Sequence, residues 1–138
     1  MREPLFATAP LFDIDHIKKI NTIVNDNLIK AKDKPDEGAI KSSQVKFVHL
    51  RPIQNLIAPF LDFVFTANNN YYGFDLFQLT GSKILNYNTY NPGEEYTWHI
   101  DATMSSPVRD IKLTCLLNCS ESNYEGGDLC LFREREII

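Results

Sequence analysis

The sequence predicts an α+β fold with its helices first and its strands after, and three observations carry that reading. From Ile14 to about Lys32, apolar residues recur every three or four positions, the period of an amphipathic helix. A second apolar run, Ile53 to about Asn69, is framed by Pro52 and by Asn68-Asn69-Asn70. After Gly73 the pattern changes to short β-branched and aromatic runs separated by turn residues.

Taken in order, Leu5 to Leu11 is a short extended piece, and Asp13 stands where a helix N-cap belongs. Ile14, Ile17, Ile20, Val24, Leu28 and Ala31 form the apolar face of the first helix, with the basic residues opposite. His16 lies within this helix and reads as a structural residue. The polar loop Lys32 to Lys41, with Pro35 and Gly38, breaks the helix. Val45 to Leu50 alternates imperfectly, but its β-branched content favours a strand. In the second helix Ile57, Phe60, Leu61, Val64 and Phe65 make the buried stripe, and Pro59 is a local conflict. Strands are predicted at Phe74–Thr80, Lys83–Asn91, Glu95–Asp101, Lys112–Asn118 and Gly127–Arg133. Helices followed by regularly spaced short strands suit N-terminal helices packed on a jelly roll, the double-stranded β-helix. About four strands follow Lys83, against roughly eight in a complete jelly roll. The barrel is therefore expected to be incomplete at its C-terminus, with open edges that invite association.

The 138 residues, 43% of them hydrophobic, are enough for one domain over 1–138, helical in 1–72 and β in 74–134. The net charge is −4 and the basic residues are dispersed, so no nucleic-acid footprint is present. Lys18-Lys19 and the Lys30 to Lys34 cluster read as solvated helix surface. Nor does any segment have the apolar length of a signal peptide core or a membrane span, and a cytoplasmic protein without a membrane partner is expected. Cys115, Cys119 and Cys130 lie at irregular spacing without a Cys-x-x-Cys pair, which suits partly buried, reduced thiols better than a zinc site.

Chemistry concentrates in Tyr90 to Asp101, Tyr-Asn-Pro-Gly-Glu-Glu-Tyr-Thr-Trp-His-Ile-Asp. On a strand, His99 and Asp101 point to the same face, the arrangement by which an imidazole and a carboxylate chelate a metal. A bare His-x-Asp is equally a hydrogen-bonded surface pair.

Tyr90, Gly93, Tyr96, Trp98, His99 and Asp101 resemble the Tyr…Gly…Tyr-x-Trp-His-x-Asp signature of iron(II)- and 2-oxoglutarate-dependent oxygenases of the prolyl 4-hydroxylase type. Further similar segments are Lys41 to Val45, Ala67-Asn68 through Gly73 to Leu76, Arg109 with Leu113-Thr114, and Tyr124 with Gly126 to Leu129. The resemblance covers residues 40–132 and implies hydroxylation of a C–H bond, of a peptidyl proline or another protein side chain. It implies Fe(II) as cofactor on His99 and Asp101, 2-oxoglutarate as cosubstrate, and ascorbate as an accessory reductant. It implies that Tyr90 donates its hydroxyl to the cosubstrate, against a reading as a buried structural Tyr. Tyr96, Trp98, Arg109 and Thr114 are expected in the substrate cleft or behind the metal ligands, and Pro92-Gly93 in the turn before the ligands. Gly126 and Gly127 read as turn or bulge glycines.

The chain departs from the family pattern after this. The family places a distal His and a carboxylate-binding Arg further on, whereas no His follows His99, and Arg133 and Arg135 come too early. His49 is rejected as a substitute because its strand precedes the ligand strand and is expected outside the metal-binding sheet. Two hypotheses follow: an oxygenase whose missing strands are absent or come from another polypeptide, or a non-catalytic half-barrel that binds a partner, or itself, through an open sheet edge.

Overall fold

The computed structural model describes residues 5–29, 43–101, 111–133 and 136–137. The expected loop from Lys32 to Lys41 and the cleft residue Arg109 lie outside them.

Helix α1, Ile14–Asp26, begins where the sequence places its cap: the Asp13 carboxylate accepts from the His16 amide at 2.8 Å. It ends six residues before the expected Lys32. Asn25 and Asn27 donate their side-chain amides to the carbonyls of Asn21 and Ile23, both at 2.8 Å, which offers the last turn an alternative to further helix. The chain then extends, and β1, Leu28–Ile29, pairs antiparallel with β2, Gln44–His49. The apolar period that ran on through Leu28 belongs to a strand there, since pairing along β2 satisfies backbone groups that a longer helix would have used. On α1 itself, Ile17, Ile20 and Val24 are buried while Ile14 stays exposed, so the helix enters the core one turn late.

The expected helix from Ile53 to Asn69 is divided. Residues 50–57 form successive turns, with the Ile53 amide bonded to the Leu50 carbonyl and the Ile57 amide to the Ile53 carbonyl, each at 3.0 Å. Helix α2, Ala58–Ala67, starts only at the proline. Pro59 thus sits in the first turn, where its missing N–H costs nothing, and this resolves the conflict it posed. A wider π-helical turn, Asn68–Tyr72, follows, closed by Gly73 at φ 67° in the left-handed region. Buried Asn68 brackets Phe74, donating to its carbonyl at 2.8 Å and accepting from its amide at 3.1 Å.

No strand forms at Phe74–Thr80; Phe77 there is 96% exposed and has no facing layer to alternate against. Strand β3, Ile84–Thr89, pairs antiparallel with β2, Val48 opposite Leu85 and Gln44 opposite Thr89, giving the sheet order β1-β2-β3. The core lies between this sheet, α1 and the 50–57 turns: Ile17, Ile20, Val24, Val48, Leu50, Ile53 and Ile57 are buried together, with Phe60, Leu61, Leu85, Tyr87, Leu117 and Cys119 packed against them.

Beyond β3 the backbone is extended without a regular ladder. Tyr96 makes an isolated bridge, 111–120 has no assigned strand, and β4, Phe132–Arg133, pairs only with β5, Glu136–Ile137. The α+β class is thus present, as helices with a small three-stranded antiparallel sheet, and the described residues do not close a jelly roll. Along 111–119 Leu113, Leu117 and Cys119 are half-buried while the other residues, Ile111 and Cys115 included, are exposed, and Leu117 and Cys119 pack against the core. Among the cysteines only Cys119 is partly buried; Cys115 and Cys130 are exposed. No described helix is long and apolar enough to cross a membrane.

Candidate metal centre

The segment that carries the centre leaves β3 at Tyr90 and turns at once. Asn91-Pro92-Gly93-Glu94 is a β-turn with its closing bond, Glu94 amide to Asn91 carbonyl, at 3.0 Å and Gly93 at φ 84°. Proline second and a left-handed glycine third are the residues a type II turn demands. The Glu94 carboxylate accepts from the Asn91 amide at 2.7 Å and clamps the turn from its other side.

Past the turn the chain brings His99, Asp101, Thr114 and Tyr96 together. His99 Nδ1 lies 2.7 Å from the Thr97 carbonyl and Nε2 lies 3.1 Å from Asp101 Oδ1. The second carboxylate oxygen, Oδ2, accepts from the Thr114 hydroxyl at 2.5 Å, at the short end expected for a hydroxyl on an ionised carboxylate. The Tyr96 ring stacks on the imidazole with centroids 3.6 Å apart and planes 11° from parallel.

The electrostatics of the imidazole are specific. Both of its nitrogens face oxygen atoms that only accept, and a neutral ring carries a single N–H. If Nδ1–H donates to Thr97, the lone pair of Nε2 faces a carboxylate oxygen; if Nε2–H donates to Asp101, the lone pair of Nδ1 faces the Thr97 carbonyl. A flat ring-on-ring stack with Tyr96 favours an electron-poor imidazole.

The donor set fits a divalent cation in part. Two donors, each about 2.1 Å from a metal and at right angles, stand roughly 3.0 Å apart, which matches the 3.1 Å between Nε2 and Oδ1. The remaining polar atoms are placed as outer partners of metal ligands are: a carbonyl on the far nitrogen of the His and a donor on the far oxygen of the Asp. Among the described residues, no group of three or more His, Cys, Asp or Glu side chains could hold a metal ion.

The other expected residues fall out as follows. Trp98 is 61% exposed, and Tyr90 is exposed where a buried structural Tyr was the alternative. His49 is opposite Ile84, the end of β3 remote from Tyr90, with Nδ1 3.3 Å from the Ser82 carbonyl. His16 is structural: Nε2 donates to the Leu56 carbonyl at 2.7 Å, and the ring stacks on Phe12. Gly126 and Gly127 have φ of 76° and 67°, and the Tyr124 ring lies against Gly127.

Sequence reasoning missed a polar brace that ties α1 to β3 and to residues 119–121. Buried Asn21 on α1 donates to the Cys119 carbonyl at 2.9 Å and to Glu121 Oε1 at 2.8 Å, and accepts from the Tyr87 hydroxyl at 3.1 Å. Burial, and then electrostatic repulsion from Cys119 and Glu121, push the Tyr87 hydroxyl above its ordinary pKa, so it stays a donor. The signal was present, since Asn21 shares the helix face of Ile17 and Val24, where a polar side chain must find partners. Comparison with family models, curated proteins and solved structures finds no match to this chain.

Proposed function

We propose that this protein is an Fe(II)- and 2-oxoglutarate-dependent dioxygenase, or the metal-binding part of one, acting on a C–H bond of a protein side chain such as a peptidyl proline. The single observation that carries the reading is the His99–Asp101 pair, 3.1 Å apart, with both outer atoms already occupied by Thr97 and Thr114. The motif in which the pair occurs supports it independently. An exposed His–Asp ion pair maintained for stability alone would contribute only about 0–1 kcal/mol, which gives little reason for so many supporting contacts.

In this reading His99 Nε2 and Asp101 Oδ1 hold the iron, and the third protein ligand comes from another polypeptide or is replaced by water. Bound iron supplies dioxygen activation coupled to decarboxylation of the cosubstrate. The chain's own residues do the positioning. The Thr97 carbonyl orients the imidazole through Nδ1, Tyr96 covers one ring face and limits water on that side, and the turn at Pro92-Gly93 sets the direction of approach. Tyr90 offers a hydroxyl for the cosubstrate, and Trp98 an exposed aromatic surface for the substrate. The jelly roll belongs to the same reading, with 95–101 and 111–119 as strands that pair once the remaining sheet is provided.

The test is an anaerobic titration with Fe(II) and 2-oxoglutarate, following the visible charge-transfer band of the chelated complex. The band appears in the wild type and is lost in His99→Ala and Asp101→Ala. A wild-type protein without the band, or a band retained in both variants, rejects the proposal.

A second reading is favoured by exposed apolar side chains: Phe77, Ile100, Leu116 and Leu129 are all more than 60% exposed. Here the chain binds a partner, or itself, along the outer edge of β3. Sedimentation velocity over a concentration series tests self-association, and a monomer at all concentrations rejects that form of it.

A further inference from the structure

We propose that the chain pairs with a second copy of itself through the outer edge of β3, antiparallel and centred on Tyr87, so that the two sheets join into one. The inference rests on the second reading above, self-association at that edge, and deepens it by fixing which residues meet.

The hydrogen-bond pattern defines the edge. β2 and β3 pair in a register that sets His49 opposite Ile84, and one pair further on the Leu50 amide bonds to the Lys83 carbonyl at 2.8 Å. Bonded and unbonded pairs alternate along an antiparallel ladder. Leu85, Tyr87 and Thr89 therefore spend their backbone groups on β2, and Ile84, Asn86 and Asn88 turn theirs outward. Among the described residues β3 ends the order β1-β2-β3, and no further strand pairs with it. From Ile84 to Thr89 the edge carries no charged residue and no proline, the features that ordinarily blunt such a row of donors and acceptors. The opposite edge, β1, is only two residues long.

The sequence of this edge is self-complementary. Outward from Tyr87 in both directions, Asn86 corresponds to Asn88, Leu85 to Thr89 and Ile84 to Tyr90. A two-fold axis at Tyr87 places Asn86 opposite Asn88 of the second copy and Ile84 opposite its Tyr90, so the pairs that meet are those whose backbone groups face outward, and every residue keeps its own face of the sheet. Ile84 and Tyr90, 49% and 44% exposed, then cover each other. Charge completes the match: Lys83 arrives opposite Asn91 of the second copy, where the Glu94 carboxylate is held 2.7 Å from the Asn91 amide. The same contacts occur twice about the axis, which occupies both open edges and closes the assembly as a dimer. A single strand pair is a small interface, below the roughly 1,200 Å² of stable complexes, so the dimer is weak and depends on concentration.

The experiment is sedimentation velocity on the full chain over a concentration series, with urea midpoints to confirm that each variant folds. Asn88→Pro removes an outward N–H and leaves the bonds to β2 intact, the position at which an edge strand tolerates proline. A double variant, Asn86→Lys with Asn88→Lys, sets like charges opposite each other across the axis, and a second, Asn86→Lys with Asn88→Glu, sets opposite charges there. Wild type is expected to pass from monomer to dimer with rising concentration. Asn88→Pro and the like-charge variant are expected to dimerise about tenfold more weakly or worse, and the opposite-charge variant at least as tightly as wild type. If Asn88→Pro does not fold, the two charge variants decide between them. A wild type that stays monomeric throughout overturns self-association and this inference together. A wild-type dimer that the like-charge variant retains undiminished, or that the opposite-charge variant loses as fully as the like-charge one, overturns the Tyr87-centred register and leaves self-association standing.

Discussion

Asn21→Leu is the substitution that most directly tests how α1 is tied to β3 and to residues 119–121. Leucine has as many side-chain heavy atoms as asparagine, so no cavity opens, and the loss reads the polar contacts together with the strain of its two bulkier methyl groups. Three hydrogen bonds disappear, to Cys119, Glu121 and Tyr87. Each contributes about 0.5–1.5 kcal/mol net, the bond to exposed Glu121 least, and the Tyr87 hydroxyl and Cys119 carbonyl left behind are partly desolvated. The expected destabilisation is about 2–4 kcal/mol, a large share of the 5–15 kcal/mol typical of a domain. With an ordinary urea slope of about 1–3 kcal/mol per molar, the unfolding midpoint falls by roughly 0.7–4 M. Tyr87→Phe alone removes one of the three bonds and costs about 1 kcal/mol, and the double variant is less destabilised than the sum by about the same amount. A loss under about 0.5 kcal/mol in Asn21→Leu, or strict additivity with Tyr87→Phe, would refute the brace as a coupled unit.

Two further outcomes follow from single features. Gly73→Ala should destabilise by about 1–2 kcal/mol in the same urea assay, because an added Cβ meets nothing within 4 Å and the whole cost is the left-handed backbone at φ 67°. A neutral result there shows that the π-turn is not closed in this way. The raised pKa of Tyr87 makes the folded protein retain its phenol proton after the unfolded chain, near the ordinary value of 10.0, has begun to lose it. Its contribution is fully present below that pH and is lost as pH rises through the folded value, so urea midpoints fall more steeply above about pH 10 in wild type than in Tyr87→Phe. Parallel curves for the two proteins contradict the assignment.

What the sequence determined by itself is local. Asp13 as a helix cap, the Ile17, Ile20 and Val24 stripe, the strand around Val45 to His49 and the Pro92-Gly93 turn all rest on interactions within a few residues, and each is found in place. The candidate centre was legible for a similar reason, because His99 and Asp101 are neighbours and their side chains need only a local bend to meet. The end of α1 was misread because Leu28 serves a strand and a helix equally well by pattern, and only pairing with Val48 decides between them. Likewise the strand expected at Phe74–Thr80 had the composition but found no partner, since β-structure depends on a neighbouring chain segment that no local pattern specifies. Tertiary structure decided which atom of Asp101 Thr114 meets across 13 positions, where the resemblance had placed it only in the cleft or behind the ligands, and it alone decided that Asn21 meets Cys119 across 98. Such contacts exist because hydrophobic burial brings distant segments together, and polar groups carried into the interior must then find partners there.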